Sequence, residues 1–316
     1  MKKFLILVFS FIVLVVICIY IFIPGKLEIS KIDYAKCNIN GAFRVLSDTS
    51  SWQKWWPDKD GFYKKNTGGQ EIFYYKGTGY RLSQKYYNSI EVQMKTDYST
   101  IDSRIDLIKL NMDSVVLMWK CQVPTTLQPL SRVLKYREAE DIKNDMAVIL
   151  GHLRSFLEDK KNIYGIDLHV SMSQDSTLVL TTSVSKKYPT TSDVYQLVEN
   201  LKNYIAGQHA KENNFPMLHI KNLPDSTFET MVAIPVNREL PGKGAITFSR
   251  FVPWKVLTAE VKGGDKTVQD ALNEMKTFIS DYQKMAMAIP FQSLVTDRSK
   301  ERDTSKWITR IYTPVP

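Results

Sequence analysis

Glu229 and Glu260 are the side chains of this sequence with the best opportunity for chemistry. Each falls in an apolar, strand-forming run, at 228–236 and 256–261. Burial there would lift a carboxyl pKa towards the range of a general base, which would suit a small-molecule hydrolase or cyclase. Strand alternation offers the other outcome: one or both face solvent or pair with Arg310. Other chemistry has less to stand on. The four histidines, His152, His169, His209 and His219, have no metal-ligand spacing to one another or to a cysteine. There is no G-x-S-x-G elbow and no Cys-His signature. Gly77-Thr78-Gly79 runs into Tyr80-Arg81, not into a phosphate-cradling loop. No metal and no cofactor is expected, and binding is favoured over catalysis.

The elements that position the two glutamates come as a repeat. Val179-Leu180-Thr181-Thr182-Ser183-Val184 matches Val256-Leu257-Thr258-Ala259-Glu260-Val261. An amphipathic helix follows each, one through Val194, Leu197, Val198, Leu201, Tyr204 and Ile205, the other through Val268, Leu272, Met275, Phe278, Ile279 and Tyr282. Each copy closes on a strand ending in Pro-Val, at Pro235-Val236 and Pro314-Val315. The offset between copies grows from 77 residues at the first strand (256 − 179) to 79 at the last (315 − 236). A strand-helix-strand-strand unit cannot bury its sheet face alone. Two copies predict one antiparallel sheet with both helices on one face and a concave site on the pseudo-two-fold axis.

The preceding stretch reads as strands and then a helix. Ser89–Thr96 alternates Ile90, Val92 and Met94 against polar residues, and Val115, Leu117, Trp119, Cys121 and Val123 form a second such stripe. Further strands are expected at 27–34, 72–75, 79–87 and 101–110, and a short helix at 42–46. A long helix at 137–160 presents Ile142, Met146, Ile149, Leu150, Leu153, Phe156 and Leu157 on one face. Such a pattern suggests a curved sheet wrapped around a helix with a cavity between.

Ahead of this, Phe4 to Ile23 is an uncharged apolar run long enough to cross a bilayer at about 1.5 Å per residue. It has no small-residue cleavage site, so an uncleaved single-pass anchor is expected. Lys2 and Lys3 favour an N-terminus inside, against Lys26, Lys31, Lys36 and Arg44 beyond it, and the soluble body is placed outside the cytoplasm. The net charge of +9 favours anionic partners, but the basic residues are scattered, so no nucleic-acid partner is expected. Cys37 and Cys121 read as buried free thiols.

Two family resemblances add to this. The order strand, helix ending in Leu46-Ser47-Asp48, then Trp52, Trp55, Trp56 and Pro57 resembles the opening of the START-like superfamily, also called polyketide cyclase/dehydrase or SRPBCC. It implies a helix-grip cavity for a lipid-like or aromatic ligand, lined in part by Tyr74 and Trp119. The stretch from about Ser176 to Pro316 resembles the GyrI-like effector-binding domain of bacterial drug-sensing activators. Phe228–Val236, the segment 256–279 and Trp307-Ile308-Thr309-Arg310-Ile311-Tyr312-Thr313-Pro314-Val315 carry that resemblance. It implies a small-molecule cleft lined by Phe228, Trp254, Trp307 and Tyr312, with Glu229, Glu260 and Arg310 as polar handles.

There are departures. Arg310 stands where family members that bind cations often have Glu, which points to an anionic or neutral ligand. Gly263-Gly264-Asp265 replaces a Gly-Pro-Tyr loop, and no DNA-reading domain precedes. The expected architecture is α+β: a transmembrane anchor (1–25), a helix-grip START-like domain (26–162) and a duplicated GyrI-like domain (163–316). The expected function is a membrane-anchored protein that binds or senses a hydrophobic or anionic small molecule.

Overall fold

The computed structural model describes residues 2–58, 64–65, 71–97, 99–173, 176–251 and 253–316. The chain is α+β and divides into two compact units, Met1–Asp159 and Lys160–Pro316.

The first unit begins with helix α1 (Lys2–Phe22), whose apolar side chains are exposed along its length: Phe4, Phe9, Phe11, Ile21 and Phe22 among them. β1 (Lys26–Ala35) follows, then α2 (Ile39–Ser47) and α3 (Thr49–Trp55). Asn38 and Asp48 cap the two short helices by accepting from Asn40 N–H and Ser50 N–H, which satisfies otherwise orphaned donors. A meander continues through β2 (Lys64–Lys65), β3 (Glu71–Tyr75), β4 (Thr78–Tyr86), β5 (Ser89–Lys95), β6 (Thr100–Asn111) and β7 (Ser114–Pro124), ending in α4 (Pro129–Leu157). The seven-stranded sheet runs β1-β7-β6-β5-β4-β3-β2, so the last strand returns beside the first. α4 crosses it against β1 and β7.

α4 starts eight residues earlier than its apolar stripe predicts. Pro129 occupies the first turn, where its missing N–H costs nothing. Leu130 and Leu134 in the first two turns are exposed and Arg132 is the buried residue there, so the buried apolar pattern begins only at Ala139.

The interior between sheet, α3 and the later turns of α4 is filled by aromatic rings, while a cavity of about 740 Å³ opens between the N-terminal half of α4 and the turns at 76–78 and 96–97. Trp52 stacks on Trp56 (centroids 5.6 Å, 4° between planes), both lean on Phe73, and Tyr80 stands edge-on to Trp56 and Trp119. Trp52, Trp56 and Trp119 donate their indole N–H groups to Leu46 O, Tyr74 O and Ser103 Oγ. Cys37 and Cys121 are buried free thiols, each pushed up to about 12 by burial, which leaves them unreactive.

The second unit opens with α5 (Lys160–Tyr164), β8 (His169–Met172) and β9 (Ser176–Ser185). Then come α6 (Thr191–Gly207), β10 (Met217–Asn222), β11 (Phe228–Val236) and β12 (Thr247–Phe251). β13 (Lys255–Lys262), α7 (Asp265–Asp281), β14 (Phe291–Leu294) and β15 (Ile308–Pro314) complete it. Its eight-stranded antiparallel sheet runs β12-β9-β11-β10-β14-β15-β13-β8. This order is symmetric about the β10–β14 seam: each copy contributes strand, helix, strand, strand, and a short extra strand closes each outer edge. α6 packs Val194, Val198, Leu201 and Ile205 on Val179, Val232 and Ile234. α7 packs Val268, Ala271, Met275 and Phe278 on Leu257, Ala259 and Ile311.

The strand register corrects the sequence match by one residue. Leu178 stands opposite Pro235, and Val256 opposite Pro314. The first strands are therefore offset by 78 residues (256 − 178), not 77. Leu178-Val179 are the partners of Val256-Leu257, and burial agrees: in both pairs both residues are buried and the next is half-buried. A one-residue slip would turn every side chain to the other face. The apolar letters around Val179 look alike in either register, so identity alone misplaced it. The outer strands β8 and β12 were not expected; β8 lacks any buried residue.

Candidate functional site

Two glycine and proline features prepare the seam between the copies. Gly263 adopts φ +141°, and a Cβ there would lie 2.7 Å from Thr267 Oγ1, so the abrupt turn from β13 into α7 requires glycine. Pro290 precedes β14 as Pro216 precedes β10. Proline has no N–H for a ladder, and pairing between β10 and β14 covers only Met217↔Ser293 and Leu218↔Gln292.

Met217 faces Ala233, and Phe291 faces Tyr312. Ala233 and Tyr312 occupy the same place in their copies, two residues before the closing Pro. Met217 and Phe291 are thus equivalent, an offset of 74 residues (291 − 217). Leu218 and Gln292 are equivalent too, and they face each other, so the pseudo-two-fold axis passes between them.

Three cavities follow this axis. The central one is narrow and is bordered by the first turns of both helices, through Thr191, Val194, Tyr195, Asp265, Val268 and Gln269. The two flanking cavities are each other's equivalents: Val198, Lys202, Pro216 and Leu294 border one, and Leu272, Lys276, Pro290 and Ile220 the other.

Their chemistry has diverged. The first, about 680 Å³, carries Glu199, Glu212, Asp297, Lys202 and Lys300. Four of these five are already partnered, Lys202 with Glu212 at 3.4 Å and Lys300 with Asp297 at 3.3 Å. The second, about 300 Å³, has walls of Tyr188, Phe228, Phe291, Leu272 and Pro290. Tyr188 stands edge-on to Phe228 (5.4 Å, 77°), and Tyr312 stacks behind Phe291 (4.8 Å, 12°). Asn222, Gln269 and Gln292 add uncharged polar groups.

His219 also lines this cavity. Burial holds its pKa below the ordinary value, outweighing the opposite pull of Pro290 O and Glu229, so the ring is neutral near pH 7. Nδ1–H donates to Pro290 O at 2.7 Å, fixing the ring against the loop that opens the notch. In the other copy the corresponding carbonyl, Pro216 O, accepts from Leu294 N–H at 2.9 Å. Among the described residues lining the aromatic cavity, Lys276 alone carries charge. It is exposed at the surface of α7.

Arg298 closes the central cavity and was not anticipated. It is 8% exposed. Its guanidinium donates to Asp265 Oδ1 (2.9 Å) and Thr309 Oγ1 (2.8 Å) and lies 4.7 Å over the Trp307 ring. Its backbone N–H donates to Tyr195 Oη, which donates in turn to Thr296 O. This arginine ties the 295–307 loop to the start of α7. Its spacing within a run of polar residues gave no sign of that.

The residues singled out in the sequence fall in different places. Phe228 is a wall of the aromatic cavity, and Tyr312 supports it through Phe291. Glu229 is half-buried on β11, opposite Val184 and Lys221. Glu260 and Arg310 pair across β13 and β15 at 2.9 Å, with side chains 55% and 47% exposed; the pair holds Arg310 above the ordinary guanidinium pKa. Trp254 donates from its indole N–H to Val315 O, at the strand end. Trp307 lies beneath Arg298 and donates to Glu301 O. Tyr74 and Trp119 belong to the first unit, where Trp119 is 1% exposed in the aromatic interior. Tyr188, His219, Leu272, Lys276 and Phe291 were missed. The 74-residue offset carries the signal for two of them, since Leu272 and Lys276 match Val198 and Lys202, just as Pro290 matches Pro216.

No family model and no curated protein matches the sequence. Among solved structures the chain is similar to the EcmrR C-terminal domain, with 13% identity over 48% of this chain and 98% of that one, at a TM-score of 0.42. It is similar to SAV2435 bound to tetraphenylphosphonium, with 17% identity over 48% of this chain and 94% of that one, TM-score 0.32. A START superfamily protein from Mycobacterium smegmatis matches at 16% identity over 40% of this chain and 98% of that one, TM-score 0.28.

Proposed function

We propose that this chain is a membrane-anchored small-molecule-binding protein whose site is the aromatic cavity between α7 and the β10–β14 seam. The observation that carries the proposal is the divergence of the two equivalent cavities. One is lined by five charged residues, four of them in two ion pairs; the other keeps aromatic walls, a histidine and, among the described residues, the single charge of the Lys276 ammonium. Its volume of about 300 Å³ is at the small end of ligand pockets. A flat, apolar ring system between Phe228 and Phe291, with an anionic group turned towards Lys276, satisfies every group present. The anionic preference inferred from Arg310 is thus retained, carried by Lys276. Glu229 and Glu260 are not among the residues lining the cavity, which favours binding over turnover by a hydrolase or cyclase.

α1 supplies the anchor in this proposal. It is apolar on all sides and exposed, and a helix of that kind needs an apolar surrounding. At about 1.5 Å per residue it spans about 30 Å, the hydrocarbon thickness of a bilayer. The soluble units then lie at a membrane surface, outside the cytoplasm.

The test is calorimetric titration of the full chain in lipid nanodiscs with 2-naphthoate, against empty nanodiscs. Saturable single-site binding in the parent chain, weakened in Phe291→Ala and in Phe228→Ala, is expected. Equal heats from all three proteins would refute this site.

A further inference from the structure

The approach to α4 and its first two turns carry three exposed leucines, and the way α1 is fastened beside them says what covers them. Leu127, Leu130 and Leu134 are 85%, 77% and 60% exposed. A step of four residues places Leu130 and Leu134 on one side of the helix, and Leu127 leads into it. Beside them, the end of α1 is fixed by several independent contacts. The Tyr20 hydroxyl donates to Leu127 O. Arg132, 7% exposed, donates from Nε to Ile23 O at 2.7 Å and lies 4.7 Å over the Tyr20 ring. Thr125 donates from Oγ1 to Pro24 O and from its backbone N–H to Gly25 O.

Tyr20 is in the last turn of α1, about 3 Å before its final residue at 1.5 Å per residue. Leu127 is bonded to it and is therefore level with helix that belongs in lipid. We infer that the 127–134 edge of the first unit docks into the interfacial layer of the same bilayer leaflet, with Leu127 and Leu130 immersed and Leu134 at the boundary. This rests on the membrane-spanning assignment of α1 and adds a second, independent membrane contact to it. Exposed leucines flanking a fixed helix exit suit an apolar layer; a polar rim would suit water. Arg132 is the bracket: it occupies a carbonyl at the C-terminal end of α1, where a cation is favoured, and holds the leucines at a set depth.

The test uses the full chain in vesicles of phosphatidylcholine and phosphatidylglycerol. Cys37 and Cys121 are buried, so Cys18→Ser gives a background without an accessible thiol. Single cysteines replace Leu127, Leu130 or Leu134, with Phe11→Cys within α1 and Tyr87→Cys, at a residue 92% exposed on the β4–β5 turn, as references. Each carries an NBD fluorophore. Probes at 127 and 130 are expected to lose fluorescence to shallow doxyl-labelled lipid and to keep it in aqueous iodide, the reverse of position 87. If 127 and 130 behave like 87 while 11 is quenched by lipid, the docking edge is refuted and the anchor stands. If 11 also behaves like 87, the anchor fails and the docking inference fails with it.

Discussion

Two groups of aromatic residues in this molecule have similar composition and opposite surroundings. In the first unit Trp52, Trp55, Trp56, Phe73, Tyr80 and Trp119 are each no more than 4% exposed and stack into one another. In the second, Tyr188, Phe228, Phe291 and Tyr312 are half-buried or exposed and leave space between them. The difference lies in what the backbone does nearby. A long helix lies across a continuous meander in the first case, and the rings fill the interval beneath its later turns. In the second, Pro290 interrupts the seam between the copies and the rings border the gap. Aromatic content alone does not separate a core from a cavity wall; the continuity of the strand beside it does.

Trp119→Ala should show the largest effect. It empties an enclosed site and should cost about 3–5 kcal/mol, read as a lower unfolding midpoint for the first unit in urea, with 2-naphthoate binding intact. A cost below about 1 kcal/mol would mean that the cluster is loosely packed, and the contrast would fail. Phe291→Ala should do the opposite: a small change in midpoint and about a tenfold loss of 2-naphthoate affinity, equivalent to about 1.4 kcal/mol. Phe215→Ala, near the other cavity, should leave affinity unchanged.

His219 sharpens the contrast through pH. Its pKa is lowered in the folded chain, so the unfolded chain binds more protons once pH falls below about 6.5, the ordinary value. The second unit should lose stability as pH drops from about 6.5 towards the lowered folded pKa, and His219→Gln should flatten that part of a midpoint-versus-pH curve. Acid sensitivity unchanged by the substitution would remove His219 from the account. The smallest effect is expected at Glu260→Gln. It breaks an exposed ion pair with Arg310, and such pairs contribute about 0–1 kcal/mol; both stability and affinity should stay close to the parent.

Much of this plan was legible in the letters. Period-2 stripes such as Ile90-Val92-Met94 announced the meander, and the Pro-Val strand endings announced the duplication, because alternation and turn residues are local signals. The one-residue error at Val179 arose where several apolar residues run together and either register looks the same. Trp119 could not be told from a cavity wall, because a period-2 stripe gives the face and not what fills the space opposite. Phe228, named through the GyrI-like resemblance, borders the aromatic cavity. Lys276 and His219 were not named: an exposed helix lysine and a strand histidine acquire meaning only from the notch at Pro290, which is set by pairing across the seam. Arg310, chosen for its charge, lies on the exposed side and is occupied by Glu260.

The central claim is that Lys276 sets the charge preference of an aromatic cavity. The most direct test titrates the full chain in nanodiscs with 2-naphthoate and with the cation 2-naphthylmethylammonium, which share one ring system. The parent chain should prefer the anion, and Lys276→Glu should reverse the order, shifting the affinity ratio by about tenfold, while Lys202→Glu in the equivalent cavity should not. Equal binding of both probes, or a preference untouched by Lys276→Glu, would contradict the account.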